Sequence, residues 1–84
     1  MEIYESARKH GIIDGDILHA VENAVVAADE EGTSKVLYLG PDPAGNLLEV
    51  VSVLREDDTD IVIHAMRMRR TYEHLLREMG KHDG

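Results

Sequence analysis

The sequence predicts an α+β fold: two N-terminal helices, a three-stranded antiparallel sheet and a C-terminal helix, in that order. Three observations carry this prediction. Apolar residues recur at helical spacing over Ile17–Ala28 and again over Arg69–Met79. Between them lie three short β-branched runs, Lys35–Gly40, Leu47–Leu54 and Asp60–Met66. The joints are rich in turn residues, Pro41 to Asn46 and Asp57-Asp58. Helices segregated from consecutive strands define the α+β class.

Residues 2–10 can make about two helical turns, with Arg8, Lys9 and His10 at the end favoured by the helix dipole and Gly11 as the stop. Asp14 or Asp16 can cap the second helix, whose stripe is Ile17, Ala20, Val21, Ala24, Val25 and Ala28. The acidic run Asp29-Glu30-Glu31-Gly32 ends it. A two-residue turn at Asp57-Asp58 would place Val53 opposite Val62, Val51 opposite His64 and Glu49 opposite Met66. Both sheet faces are then largely apolar, so both need cover. One is served by the helices, the other by the C-terminal helix, a second copy (a homodimer) or a partner. The last helix carries Tyr72, Leu75, Leu76 and Met79 on one stripe, and Gly80 would end it before a frayed tail.

The chain of 84 residues is read as one domain, residues 1–84, with a modest core. A hydrophobic fraction of 43% with 31% charged residues belongs to a folded protein. No run of about 18 apolar residues and no signal-peptide pattern is present, so no membrane association and a cytoplasmic location are expected. The absence of cysteine excludes disulfides and thiolate zinc sites. The net charge of -8 argues against a general nucleic-acid binder. It is unevenly spread: residues 1–63 hold four Lys/Arg against fourteen Asp/Glu, whereas residues 64–84 hold five against three. The acidic part suits a basic protein partner, and the C-terminal part can form a local anion site.

The stretch Asp60–Tyr72 is the most suggestive chemically. A strand delivers His64 and then Arg67, Arg69 and Arg70 to a strand–helix junction, where a phosphate could be held or the helix start merely solvated. His19 and Glu22 share a helical face, and His74 follows Glu73, but no third spaced ligand accompanies either, so no metal is expected. No Gly-rich phosphate loop or nucleophile elbow occurs.

Taken together, Lys9-His10-Gly11, the Ala/Val-rich helix, Leu37-Tyr38-Leu39-Gly40, Leu47-Leu48-Glu49-Val50-Val51 and Ile61-Val62-Ile63-His64-Ala65-Met66-Arg67 resemble the BrnT-like toxins. These are distant members of the RelE/ParE group of bacterial type II toxins. The resemblance spans roughly residues 6–79 as a pattern of elements. The chain departs from it with His64 where serine is more usual, Met66 in place of the first arginine, and an acidic balance. The resemblance implies a RelE/BrnT-like fold and the toxin of a toxin–antitoxin system. That toxin would be an endoribonuclease cleaving RNA such as mRNA without cofactor, neutralised by a small ribbon-helix-helix antitoxin.

Metal-free RNA cleavage needs a base, an acid and cations at the phosphate. On this reading His64 or His10 moves the proton, Arg67, Arg69 and Lys9 meet the developing charge, and Arg70 or Tyr72 positions substrate. Each has a plainer reading. His64 is then a satisfied sheet histidine, His10 a helix-end group, Tyr72 a core residue, and Arg69 and Arg70 solvating charges. The alternative function is a non-catalytic interaction module of the same fold, binding a small protein through its acidic surface or second sheet face.

Overall fold

The computed structural model describes residues 1–82, with side chains through Glu78. It is an α+β domain, but its sheet has five strands and is mixed. The elements are β1 (Glu2–Ile3), a 3-10 turn (Glu5–Arg8), α1 (Asp14–Glu22), β2 (Val26–Asp29), β3 (Lys35–Pro41), β4 (Leu47–Leu54), β5 (Asp60–Arg67), a 3-10 turn (Arg70–Tyr72) and α2 (Glu73–His82). The strand order is β1-β5-β4-β3-β2, antiparallel except for the parallel β1–β5 pair. This corrects the expected three-stranded antiparallel sheet with two N-terminal helices.

The corrections have identifiable causes. The expected first helix is a two-residue strand followed by one 3-10 turn. Glu2 and Ile3 pair with Ile61 and Val62, and only Ala7 of the turn is buried. Gly11 then adopts φ +79, a left-handed conformation that glycine adopts without steric cost. The second helix stops at Glu22, and Val26–Asp29 pairs with β3 instead. Val25 and Val26 are stiff at χ1 and suit a strand, and an edge position exposes Ala27 and Asp29 while half-burying Val26 and Ala28. Asp14 does not cap α1. Its carboxylate takes the Arg8 guanidinium at 2.9 and 2.8 Å, and this pairing holds the Asp14 carboxyl below its ordinary value. Gly80 does not end α2, which runs on to His82; the remainder of the expected tail, residues 83 and 84, lies outside the described residues.

The β4–β5 hairpin was expected to turn at two residues. It has a three-residue loop, Glu56-Asp57-Asp58. Arg55 N–H bonds to Thr59 O, Asp58 N–H bonds to Arg55 O, and Asp58 sits at φ 65. A tight turn closed by a left-handed residue is a standard three-residue solution, and aspartate tolerates the position. Leu54, Val53 and Ser52 therefore pair with Asp60, Ile61 and Val62, one residue off the expected register. The register shift between Val51 and Ser52 leaves Ile63 without a cross-strand partner and restores the expected pairs Val51–His64 and Glu49–Met66, with Val50–Ala65 between them. Ser6 Oγ donates to Ile63 O at 2.7 Å and so satisfies the carbonyl at this irregularity.

α1 lies on one sheet face, where Ala7, Ile17, Ala20, Leu48, Val50, Val62 and Ala65 form the core. Ile3, Ile12, Val21 and Tyr38 pack around it. Ser52 lies among the buried residues, and its hydroxyl has no hydrogen-bond partner among the described residues. An orphaned buried hydroxyl costs about 1–3 kcal/mol. Ser52→Ala is accordingly expected to raise stability by about 1 kcal/mol in urea unfolding, with an unchanged m-value.

Candidate functional site

The opposite face carries the chemistry. Strand alternation puts Glu49, Val51, His64 and Met66 on one side of β4 and β5, away from α1. Glu49 is fully buried, and both of its oxygens are engaged. Oε1 accepts the Arg69 backbone N–H at 3.0 Å and Arg69 Nε–H at 2.9 Å. Oε2 accepts Arg69 Nη2–H at 2.8 Å and His64 Nε2–H at 2.9 Å. A carboxylate offers about four lone-pair sites, and all are spent here.

Arg69 reaches this position because the chain leaves β5 in extended conformation, with φ -84 and ψ 154 at Arg69, before the 3-10 turn begins. Its fork then meets Glu49 in the parallel two-bond geometry that arginine alone supplies. Burial pushes the Glu49 carboxyl upward. The Arg69 side-chain and backbone bonds, the His64 bond and the Arg69 charge outweigh it, so the group sits below the ordinary glutamate value. The same pairing raises Arg69, first by hydrogen bonding and then by charge.

Of the residues singled out from sequence, four come together. The rings of His10 and His64 meet edge to face, with centroids 5.7 Å apart and an interplanar angle of 78°. His64 shares Glu49 with Arg69, and the Arg69 guanidinium carbon lies 5.8 Å from the Tyr72 ring centroid. His10, His64, Arg69 and Tyr72 thus run in sequence across one face. Arg67 does not join them. It lies opposite Leu48, on the α1 side, where its charge helps hold the Asp42 carboxyl down. Lys9 and Arg70 are exposed, and among the described residues neither forms an ion pair.

Glu49 is the residue that sequence reasoning missed. Its signal was present: one carboxylate inside Leu-Leu-Glu-Val-Val, on the same strand face as His64 and two residues from that histidine's partner Val51. Beyond Tyr72 the face opens into a groove of about 380 Å³, lined by Ala28, Leu37, Val51 and Tyr72 with Asp29, Glu30 and Lys35 at its sides.

The metal-ligand pairs considered from sequence have other partners. His19 Nδ1 lies 2.8 Å from Pro41 O, and His74 Nδ1 lies 2.9 Å from Thr71 O. Among the described residues no three His, Asp or Glu side chains cluster as a metal site, and no helix is long and apolar enough to cross a membrane. No family model matches the chain, and neither a curated protein nor a solved structure matches it.

Proposed function

We propose that this chain is a metal-independent endoribonuclease and the toxin of a type II toxin–antitoxin pair, acting in the cytoplasm and held in check by a small antitoxin protein. The supporting observation is the edge-to-face pair of His10 and His64, one of them backed by a buried carboxylate. Glu49 stabilises the imidazolium that forms when His64 takes a proton, which suits His64 to the role of base. His64 Nδ1 removes the proton of an RNA 2′-hydroxyl, and the 2′-oxygen attacks phosphorus. The bond from phosphorus to the 5′-oxygen breaks, and protonated His10 gives that oxygen its proton. The products are a 2′,3′-cyclic phosphate and a 5′-hydroxyl. Arg69 lies beside this pair as the cation for the developing phosphorane charge, and Tyr72 offers a ring for a base to stack on.

Acid–base groups of this kind contribute about 10²–10⁴-fold. His64→Ala and His10→Ala should each slow cleavage of a short RNA by about 100-fold or more, with EDTA without effect on the parent chain. Induction in a bacterial host should arrest growth with RNA fragmentation, and His64→Ala should abolish both. Full toxicity in both histidine variants would sink this reading.

One observation favours a second reading. The groove beside Tyr72 has an apolar floor and acidic flanks at Asp29 and Glu30, in a chain of net charge -8. A non-catalytic module would use it to take a basic, partly apolar segment of a partner protein. Normal growth on induction, with folded protein and intact RNA, would select that reading.

A further inference from the structure

We propose that Glu49 is the positioning residue of this site, fixing which nitrogen of His64 is free to act and which edge of Arg69 faces the ligand. The inference rests on the acid–base reading above for its consequence, but on the hydrogen bonds for its substance. A buried carboxylate flanked by a guanidinium remains ionised and can only accept. His64 Nε2, 2.9 Å from Glu49 Oε2, must therefore carry the hydrogen. In the neutral ring the lone pair is then confined to Nδ1. The opposite tautomer would set two lone pairs against each other inside a buried contact.

The same carboxylate orients Arg69. Nε and Nη2 are turned inward to Glu49, so Nη1 is left on the outer edge of a side chain that is 53% exposed. That edge can take an oxyanion such as an RNA phosphate while the inner edge stays paired. Ionised Glu49 thus determines the geometry of two groups while occupying no solvent-facing surface itself. It touches no substrate and is not a catalytic residue.

The test is long-range proton–nitrogen NMR of the histidine rings in the ¹⁵N-labelled full chain, at a pH where the His64 ring is neutral. The parent chain should show His64 with an unprotonated Nδ1 and a protonated Nε2. Glu49→Gln should mix the two forms, because the amide can either accept from or donate to the ring. Arg69→Lys should keep the parent tautomer, since the carboxylate remains. In RNA cleavage Glu49→Gln should lower kcat about tenfold or more, as losing a carboxylate that fixes a histidine tautomer does, with a smaller effect on KM. A proton on Nδ1 in the parent chain, or an unchanged tautomer in folded Glu49→Gln, would overturn the proposal. If Glu49→Gln does not fold, the parent spectrum and Arg69→Lys decide it. A chain with the expected tautomer that cleaves no RNA would support the positioning role and overturn the ribonuclease reading. A cleaving chain with the opposite tautomer would do the reverse.

Discussion

Gly40→Ala is expected to be the most damaging conservative change outside the site. A Cβ built on Gly40 would lie 2.0 Å from the carbonyl oxygen of Ala20, and 3.0 Å from both Ala20 C and Ala24 Cα. All three are backbone atoms of α1 or its exit, so no side-chain rotation can relieve the clash. The helix must lift from β3, and Ile17 and Ala20 are its two buried residues. Overpacking that side chains can absorb costs about 1–3 kcal/mol; here the displaced group is a helix, so about 3 kcal/mol or more is expected. In a domain of this size that lowers Tm by roughly 12–24 °C. Gly15→Ala provides the contrast. Gly15 is within α1, and a methyl group added there would meet nothing inside 4 Å, so alanine should stabilise by about 0.5–1 kcal/mol. Thermal melts of the two variants should move in opposite directions. Equal small shifts would show that α1 does not rest on β3 as described.

The close approach at Gly40 also shows what the sequence made legible and what it did not. The apolar stripe of α1 and the alternation along β3, β4 and β5 were readable, because local period and burial agree there. The half of the β4–β5 register beyond Ile63 was readable for the same reason, and it places Glu49 and His64 on one face. The other half was not. Ile61, Val62 and Ile63 are all apolar, so a one-residue slip swaps faces without leaving a polar residue on the wrong side. β2 was hidden because Ala24, Val25 and Ala28 continue the helical spacing of α1. Only pairing with β3, a contact distant in sequence, makes Val26–Asp29 a strand. β1 is two residues long and pairs with a strand nearly 60 positions away, so no local pattern could show it. At the site, the residue types were legible while their assignment was not. Three arginines at 67, 69 and 70 look equivalent in sequence, and strand alternation sends Arg67 to the other face while Glu49 takes Arg69.

Arg69→Ala is expected to lower stability at neutral pH and to reverse the sign of the Glu49 contribution to its pH dependence. In the parent chain Glu49 has a folded-state pKa below its unfolded value, near the ordinary 4.5. A depressed carboxylate contributes stability that is full above the unfolded pKa and is lost as pH falls through the folded one. The parent contribution from Glu49 therefore declines in acid, below about pH 4.5. Removing the Arg69 side chain deletes two of the four hydrogen bonds to Glu49 together with the neutralising charge, leaving the backbone N–H of residue 69 and His64 as partners. Burial then dominates and drives the carboxyl upward. A raised carboxylate contributes stability that is present below the unfolded pKa and is lost as pH rises through the folded one. Leaving a buried charge uncompensated costs about 3–5 kcal/mol, and the lower end is expected here because His64 remains in contact with Glu49. Asp14, Asp42 and Asp57 are also held low and give both chains the same loss in acid, so the difference between the two urea-unfolding profiles isolates Glu49: it should be largest near pH 7 and shrink as pH falls towards about 3.5. The double variant Arg69→Ala, Glu49→Gln should recover part of the loss at pH 7, since a neutral amide carries no charge to desolvate. Parallel pH profiles for the parent and Arg69→Ala would mean that Glu49 does not depend on Arg69 for its ionisation, and the arrangement at the centre of this face would have to be redrawn.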